Sequence, residues 1–181
     1  MSSSDRGRRR PGRHAGRTML LAAAAAVTLA ACNVQPLYGP SPTGRAVATA
    51  LDGMTIDPVD TRVGQEVRNK LLFTLNSGSE PMAPVYRVHL NVTSSETALG
   101  VTPVESAPAY SVAVTATYVV TSLASGEVVL RRTVRSSASY DRVNQVFANV
   151  RAKLDAENRA AALAADEIHI ALAGAAAKGI L

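Results

Sequence analysis

Tyr86-Arg87-Val88-His89-Leu90-Asn91-Val92 alternates apolar and polar side chains, and this stretch decides the fold. Successive side chains of a β-strand point to opposite faces of the sheet, so the stretch predicts a half-buried strand with one apolar face. The run from Tyr110 to Leu123 alternates in the same way, and a third strand is predicted from Glu127 to about Ser137, after the turn Ala124-Ser125-Gly126. The spacing predicts a meander of hairpins.

Two amphipathic helices are predicted on either side of this meander. Val63, Val67, Leu71 and Leu75 recur every four residues, which predicts a helix from about Arg62 to Asn76. An alanine-rich region from about Asn144 to Ala177 predicts a long final helix. Its expected apolar stripe comprises Phe147, Val150, Leu154, Ala161, Ala165, Ile168 and Leu172.

A short first strand, around Leu51 to Ile56, completes the predicted order of strand, helix, three strands and helix. Helices and sheet must bury their apolar faces against each other. The economical solution is an α+β fold, a two-layer sandwich with a four-stranded sheet and both helices on one face.

The beginning of the chain is typical of a bacterial secretory signal. Six arginines precede an apolar run of 13 residues, Met19 to Ala31, whereas a membrane-spanning helix needs roughly 20. Leu29-Ala30-Ala31-Cys32 then resembles a lipobox, which implies that the leader 1–31 is removed and Cys32 is acylated. Cys32 is the only cysteine, and a free structural thiol is the alternative. Residues 32–46, rich in Pro and Gly, are expected to form a lipidated tether before one domain at 47–181.

Removing the leader changes the charge of the protein. Of 19 basic and 14 acidic residues, six arginines and Asp5 precede Cys32, which leaves 13 of each and a formal net charge of zero. Nucleic-acid binding, which needs clustered positive charge, therefore loses its support. The mature part also has no second cysteine for a disulfide, so packing alone must stabilise it.

The mature sequence offers little catalytic chemistry, so the protein is predicted not to be an enzyme and to need no cofactor or metal. His89 and His169 are its two histidines, and no metal-ligand spacing, nucleophile elbow or phosphate loop occurs. A periplasmic hydrolase would require a nucleophile and a base in one pocket.

Arg131, Arg132 and Arg135 form the one local basic concentration of the mature chain. They are candidate contacts for anionic lipid or for a protein partner, because a guanidinium pairs bidentately with phosphate. The competing interpretation is a solvated strand protected from edge pairing. Alternation puts Arg132 on the apolar face, so either a bulge changes the register or Arg132 lies beyond the covered part of the sheet.

Cys32-Asn33-Val34-Gln35-Pro36-Leu37-Tyr38-Gly39 resembles the start of mature LPS-assembly lipoproteins of the LptE family, in their alphaproteobacterial form. Asn33-Val34 replaces the family's usual Gly-Phe. Three further segments are similar to the family, in order and spacing: Gly64-Gln65 with Arg68-Asn69, Ser139-Tyr140-Asp141 after the last predicted strand, and Asp155 to Ala160 on the final helix.

The resemblance implies the same fold and a function. LptE-like proteins are lipid-anchored in the outer membrane, on its periplasmic side, and sit largely in the lumen of the LptD β-barrel. They assist barrel assembly and the delivery of lipopolysaccharide to the outer leaflet. The alternative function is an auxiliary lipoprotein of an ABC-type lipid transport system.

Overall fold

The computed structural model describes residues 42–76, 83–99 and 109–181, which form three helices and four strands. In chain order these are α1 Pro42–Asp52, β1 Met54–Ile56, α2 Arg62–Asn76, β2 Tyr86–Leu99, β3 Ala109–Ser122, β4 Val128–Asp141 and α3 Val146–Ala177. The predicted signal, Cys32 and the predicted loop Gly100 to Pro108 lie outside the described residues.

The four strands form one sheet in the order β1-β2-β3-β4. β1 pairs with β2 in parallel, and β2, β3 and β4 pair antiparallel. Gly126, with a φ of 74°, closes the turn between β3 and β4, as glycine can do without strain. The predicted α+β fold with a four-stranded sheet is confirmed.

One face of the sheet is buried under the helices. The three long strands contribute alternate residues to this inner face: Val88, Leu90 and Val92 from β2, Val112, Val114, Ala116, Tyr118 and Val120 from β3, and Ser136, Ala138 and Tyr140 from β4. These residues form one core with the apolar sides of the helices. The opposite, outer face of the sheet is free of helices among the described residues.

α2 and α3 lie side by side and run in the same direction. Arg62 Nη1 at the start of α2 donates to Asn158 Oδ1 at 2.9 Å, and Lys70 Nζ lies 3.8 Å from Asp166 Oδ1 two turns later. Alanines on α3 allow a close approach to the sheet, where Ser136 Oγ donates to the Ala160 carbonyl at 2.7 Å. α3 has the length and apolar composition of a membrane span, but half of its most apolar stretch is buried in this fold, as in a core helix.

The helix α1 was not expected, because Pro42 lies in a stretch where prolines and glycines predict irregular chain. Proline is tolerated in the first turn of a helix, where its missing N–H has no helical partner in any case. Val47 and Leu51, one turn apart, are buried and fix α1 mainly on α3. The folded body thus begins before the predicted boundary at residue 47, and the first strand is shorter than predicted, since Leu51 belongs to α1.

The end of β4 and the exposure of the first turns of α3 also differ from the prediction. β4 continues to Asp141, so Ser139 and Tyr140 belong to the strand instead of following it. The first turns of α3 extend past the covered part of the sheet, so Phe147 and Val150 are exposed although they continue the apolar stripe. Sequence periodicity identifies the apolar side of a helix, but it does not show how far the sheet extends beneath it.

Candidate functional site

The three candidate arginines on β4 do not form a single patch. Arg131 and Arg135 lie on the outer face, opposite Val119 and Thr115 of β3. Both arginines are exposed. The outer face therefore has two cationic side chains four residues apart on β4, with Thr133 between them.

Arg132 lies on the inner face, where it is paired with the fully buried Tyr118. The sheet does contain a register shift, because Val120 pairs with Leu130 and Thr121 with Val128. That bulge precedes Arg132 and does not turn its side chain outward. On the inner face of β4, Leu130 and Val134 are only partly buried against the core and full burial begins at Ser136, so Arg132 is exposed because it lies at the rim, outside the fully covered part of the sheet. This decides between the two alternatives that the sequence leaves open.

The outer face carries mostly polar side chains. The hydroxyls of Thr117 and Thr133 are hydrogen-bonded across β3 and β4 at 2.9 Å. At one corner the Asp57 carboxylate lies 3.3 Å from His89 Nδ1 and 3.8 Å from Arg87 Nε. His89 is on this face, as the alternation predicts. Within the described ranges no group of three His, Cys, Asp or Glu side chains is arranged to hold a metal.

A second polar cluster, which the sequence analysis missed, surrounds Glu96 at the far end of β2. The Glu96 carboxylate accepts hydrogen bonds from the Tyr140 hydroxyl and from Lys153 Nζ, the latter at 2.7 Å. Arg142 Nη2 lies 3.5 Å from the same carboxylate. The Tyr110 and Tyr140 rings stack at 5.7 Å, and the Arg142 guanidinium lies 4.0 Å from the Tyr110 centroid. The cluster joins three strands to α3.

The electrostatics of the cluster follow from these contacts. Hydrogen bonds from Lys153 and Tyr140 lower the pKa of Glu96 below its ordinary value. The same contact with Glu96 raises the pKa of Lys153, while burial and the bond to Glu96 raise that of Tyr140. All three groups therefore keep their usual charge at neutral pH. The cluster stabilises the end of the sheet and has no group poised for proton transfer.

Replacing Glu96 with glutamine should lower the free energy of unfolding by about 1 kcal/mol at neutral pH, because charge-assisted hydrogen bonds are lost at a partly exposed site. The folded-state pKa is below the unfolded one, so this contribution is present above the ordinary pKa of 4.5 and disappears as the pH falls through the lower folded value. Urea unfolding at a series of pH values measures the effect. Glu66→Gln is the control, since Glu66 is exposed and 3.9 Å from Arg62. Equal effects of the two changes would contradict the assigned role of Glu96.

The segment Gly64-Gln65 with Arg68 holds the start of α2 to β1. Thr61 Oγ1 accepts from the Gly64 N–H at 3.1 Å and so caps the helix. A Cβ on Gly64 would lie 2.7 Å from that oxygen, which explains the glycine. The Arg68 guanidinium donates to the carbonyls of Ile56 and Asp57 at 2.9 to 3.1 Å, where β1 ends.

The segment Asp155 to Ala160 joins α3 to its two neighbours. Arg62 donates to both Glu157 and Asn158, which holds α2 against α3. Arg159 is bound by Asp155 at 2.7 Å and donates to the Ser139 carbonyl of β4 at 2.9 Å. The residues that carry the family resemblance on α2 and α3 therefore act in the assembly of the fold.

No family model matches the sequence, and no curated protein matches it either. Solved structures do match. A candidate lipoprotein of Caulobacter crescentus is 22% identical with a TM-score of 0.62, over 74% of this chain and 97% of that one. A minor lipoprotein of Acinetobacter baumannii is 14% identical with a TM-score of 0.52, over 67% and 88% of the two chains. Rare lipoprotein B of Shewanella oneidensis is 16% identical with a TM-score of 0.51, over 67% and 92%. At these identities the likeness shows a shared fold.

Proposed function

We propose that the protein is a non-enzymatic lipoprotein of the LptE type, anchored to the outer membrane through Cys32. In this proposal it forms a complex with an LptD-like β-barrel, assists the assembly of the barrel, and helps to deliver lipopolysaccharide to the outer leaflet. The observation that carries the proposal is the fold, which is shared with three solved proteins described as lipoproteins. The lipobox-like Leu29-Ala30-Ala31-Cys32 independently supports the anchor.

The surface of the folded body is compatible with a position inside a barrel. The lumen of an outer-membrane barrel is polar, so a protein that fills it needs a polar exterior around its own core. The outer face meets this requirement with threonines, serines and the basic side chains of Arg131 and Arg135. Along the described part of that face polar and small side chains predominate, which favours contact with a polar wall over contact with another core. Co-purification of a barrel from solubilised outer membranes tests the proposal.

Arg131 and Arg135 are proposed to contact lipopolysaccharide phosphates or the barrel wall. The double change Arg131→Ala/Arg135→Ala should weaken lipopolysaccharide binding by about 2 kcal/mol, or roughly 30-fold, at about 1 kcal/mol for each cation near an anionic surface. Binding of the purified protein to lipopolysaccharide at low salt measures this.

Arg132→Ala is the matched control for the double change, because Arg132 is on the other face of the same strand. It should leave the affinity within about twofold, as expected for a screened charge away from the contact. If the double variant remains folded and its affinity is unchanged, the arginines belong to a solvated strand and the contact assignment is wrong.

A further inference from the structure

The first turns of α3 and the residues just before them carry exposed apolar side chains that the core does not use. Val143 is 52% exposed, Val146 73%, Phe147 89% and Val150 52%. Single exposed apolar residues are ordinary on protein surfaces, but here three lie in the first two turns of α3 and Val143 lies just before the helix, which groups four large apolar side chains within eight residues. We call residues 142–153, which include this patch and its flanking cations, the tip surface.

The tip surface is held in place by its own hydrogen bonds. Asn149 accepts from the Val143 N–H and donates to the Val143 carbonyl, both at 2.8 Å. Arg142 is fixed through its contact with the Tyr110 ring and a hydrogen bond to the Tyr110 hydroxyl at 3.2 Å. These contacts hold the backbone of the tip surface in one conformation. Binding of a partner therefore does not have to supply the free energy of ordering that backbone.

Cations outnumber carboxylates around this patch, although Glu96 is paired with two of them, and Arg151 is an exposed cation beside it. Arg142, Arg151 and Lys153 lie in or beside it, and no acidic residue occurs between Arg142 and Leu154. The first turn of α3 also lacks an acidic residue, although acids stabilise helix N-termini. Glu96 is the acid that reaches Lys153 and Arg142 from the sheet. A patch of apolar side chains with cations and a positive helix end is complementary to an anionic surface.

We propose that the tip surface inserts into the interface of an anionic lipid bilayer. Phe147 and the valines would enter the boundary between headgroups and acyl chains, and the Arg and Lys side chains would remain at the level of the lipid phosphates. A bilayer fits the observations because an aromatic apolar patch flanked by cations is the composition of interfacial helices. The inference rests on the proposed function only for the anchor at Cys32. It adds a second contact, which orients the free lipoprotein on its membrane before a partner covers the body.

A fluorescence experiment tests this contact directly, because the chain contains no tryptophan and two phenylalanines. Phe147→Trp places a probe in the tip surface. Phe73→Trp is the matched control, since Phe73 is 68% exposed on α2. From the pairing of Arg62 with Asn158, the two positions are about 20 residues apart along the parallel helices, or roughly 30 Å.

The lipidated full-length variants would be reconstituted in vesicles of phosphatidylethanolamine and phosphatidylglycerol that carry brominated acyl chains. In these vesicles the Phe147→Trp emission should shift to shorter wavelength and be quenched by bromine. The Phe73→Trp emission should keep the wavelength that it has in buffer without vesicles. Adding Arg151→Gln to Phe147→Trp should lower the equilibrium constant between the inserted and free tip surface, obtained from the quenched fraction, about fivefold, the effect of one cation near an anionic surface.

Equal bromine quenching of the two probes, or none of either, would overturn the proposal. Quenching that is the same in phosphatidylcholine vesicles would overturn its electrostatic part. A blue shift of the Phe147→Trp probe that requires an added β-barrel would assign the tip surface to a protein partner and also overturn the proposal. The bromine-quenching results are obtained in vesicles without barrel or lipopolysaccharide, so they do not depend on whether the proposed barrel complex forms.

Discussion

Replacing Cys32 with serine should move nearly all of the protein from the membrane fraction to the soluble periplasmic fraction. Each buried CH₂ of an acyl chain contributes about 0.8 kcal/mol to membrane binding, and stable anchoring takes two chains or more. A serine hydroxyl cannot form the thioether to the diacylglycerol, so the whole of this free energy is lost. The tip surface alone would give weaker, reversible and salt-sensitive binding. Fractionation of cells and mass spectrometry of the mature N-terminus measure the outcome.

Asn33→Ser is the control for this change, because it alters the adjacent residue and keeps the only thiol of the chain. It should remain in the membrane fraction with a lipidated N-terminus. If the Cys32→Ser protein also stays in the membrane fraction after a high-salt wash, the anchor is not at Cys32, and the lipoprotein assignment of the leader is wrong.

Replacing Ile168 with alanine should lower the free energy of unfolding by about 3 kcal/mol. Ile168 is on α3, fully buried in the core between the helices and the sheet. Removing a buried Ile side chain costs the transfer free energy of its methyl groups and leaves a cavity, together about 2–5 kcal/mol. A core without tryptophan, and with alanine on one side of the helix, has few large side chains that could move into that space. Urea unfolding followed by circular dichroism measures the change.

Ile170→Ala is the matched control, since Ile170 is on the same helix and 65% exposed. Both substitutions remove the same atoms and have the same effect on helix propensity, so their difference isolates burial. Ile170→Ala should change the free energy of unfolding by less than about 0.5 kcal/mol. Equal losses for the two variants would mean that α3 packs on the sheet through a different face.

Side-chain periodicity was sufficient to predict the main elements of the fold. Alternation from Tyr86 to Val92 identified the inner face of β2, and the four-residue repeat from Val63 to Leu75 identified α2 with its observed ends. The prolines and glycines around Pro42 predict irregular chain, but proline is also common at the first position of a helix, and Val47 and Leu51, one turn apart, supply the apolar side of α1. Where tertiary packing decides which residues are covered, as at Phe147, periodicity alone gives the wrong burial.

Local sequence patterns also identify only part of the candidate sites. The sequence identified the arginine concentration, but only the strand pairing separates Arg132 from Arg131 and Arg135. Glu96 could have been found, because it continues the even-numbered inner-face positions of Val88, Leu90 and Val92. A carboxylate at such a position needs partners when it is partly buried. Its partners Tyr140 and Lys153 are 44 and 57 residues away in the chain, a distance that no local pattern spans.

The most direct test of the proposed function is purification of the tagged, lipidated full-length protein from detergent-solubilised outer membranes. We expect a single large β-barrel to co-purify in a stoichiometric amount and to remain bound at high salt, since a body inside a lumen is held by an extensive interface. A second tagged outer-membrane lipoprotein, carried through the same steps, controls for barrels trapped in mixed micelles. Recovery of folded, lipidated protein without any barrel beyond that control would contradict the proposal.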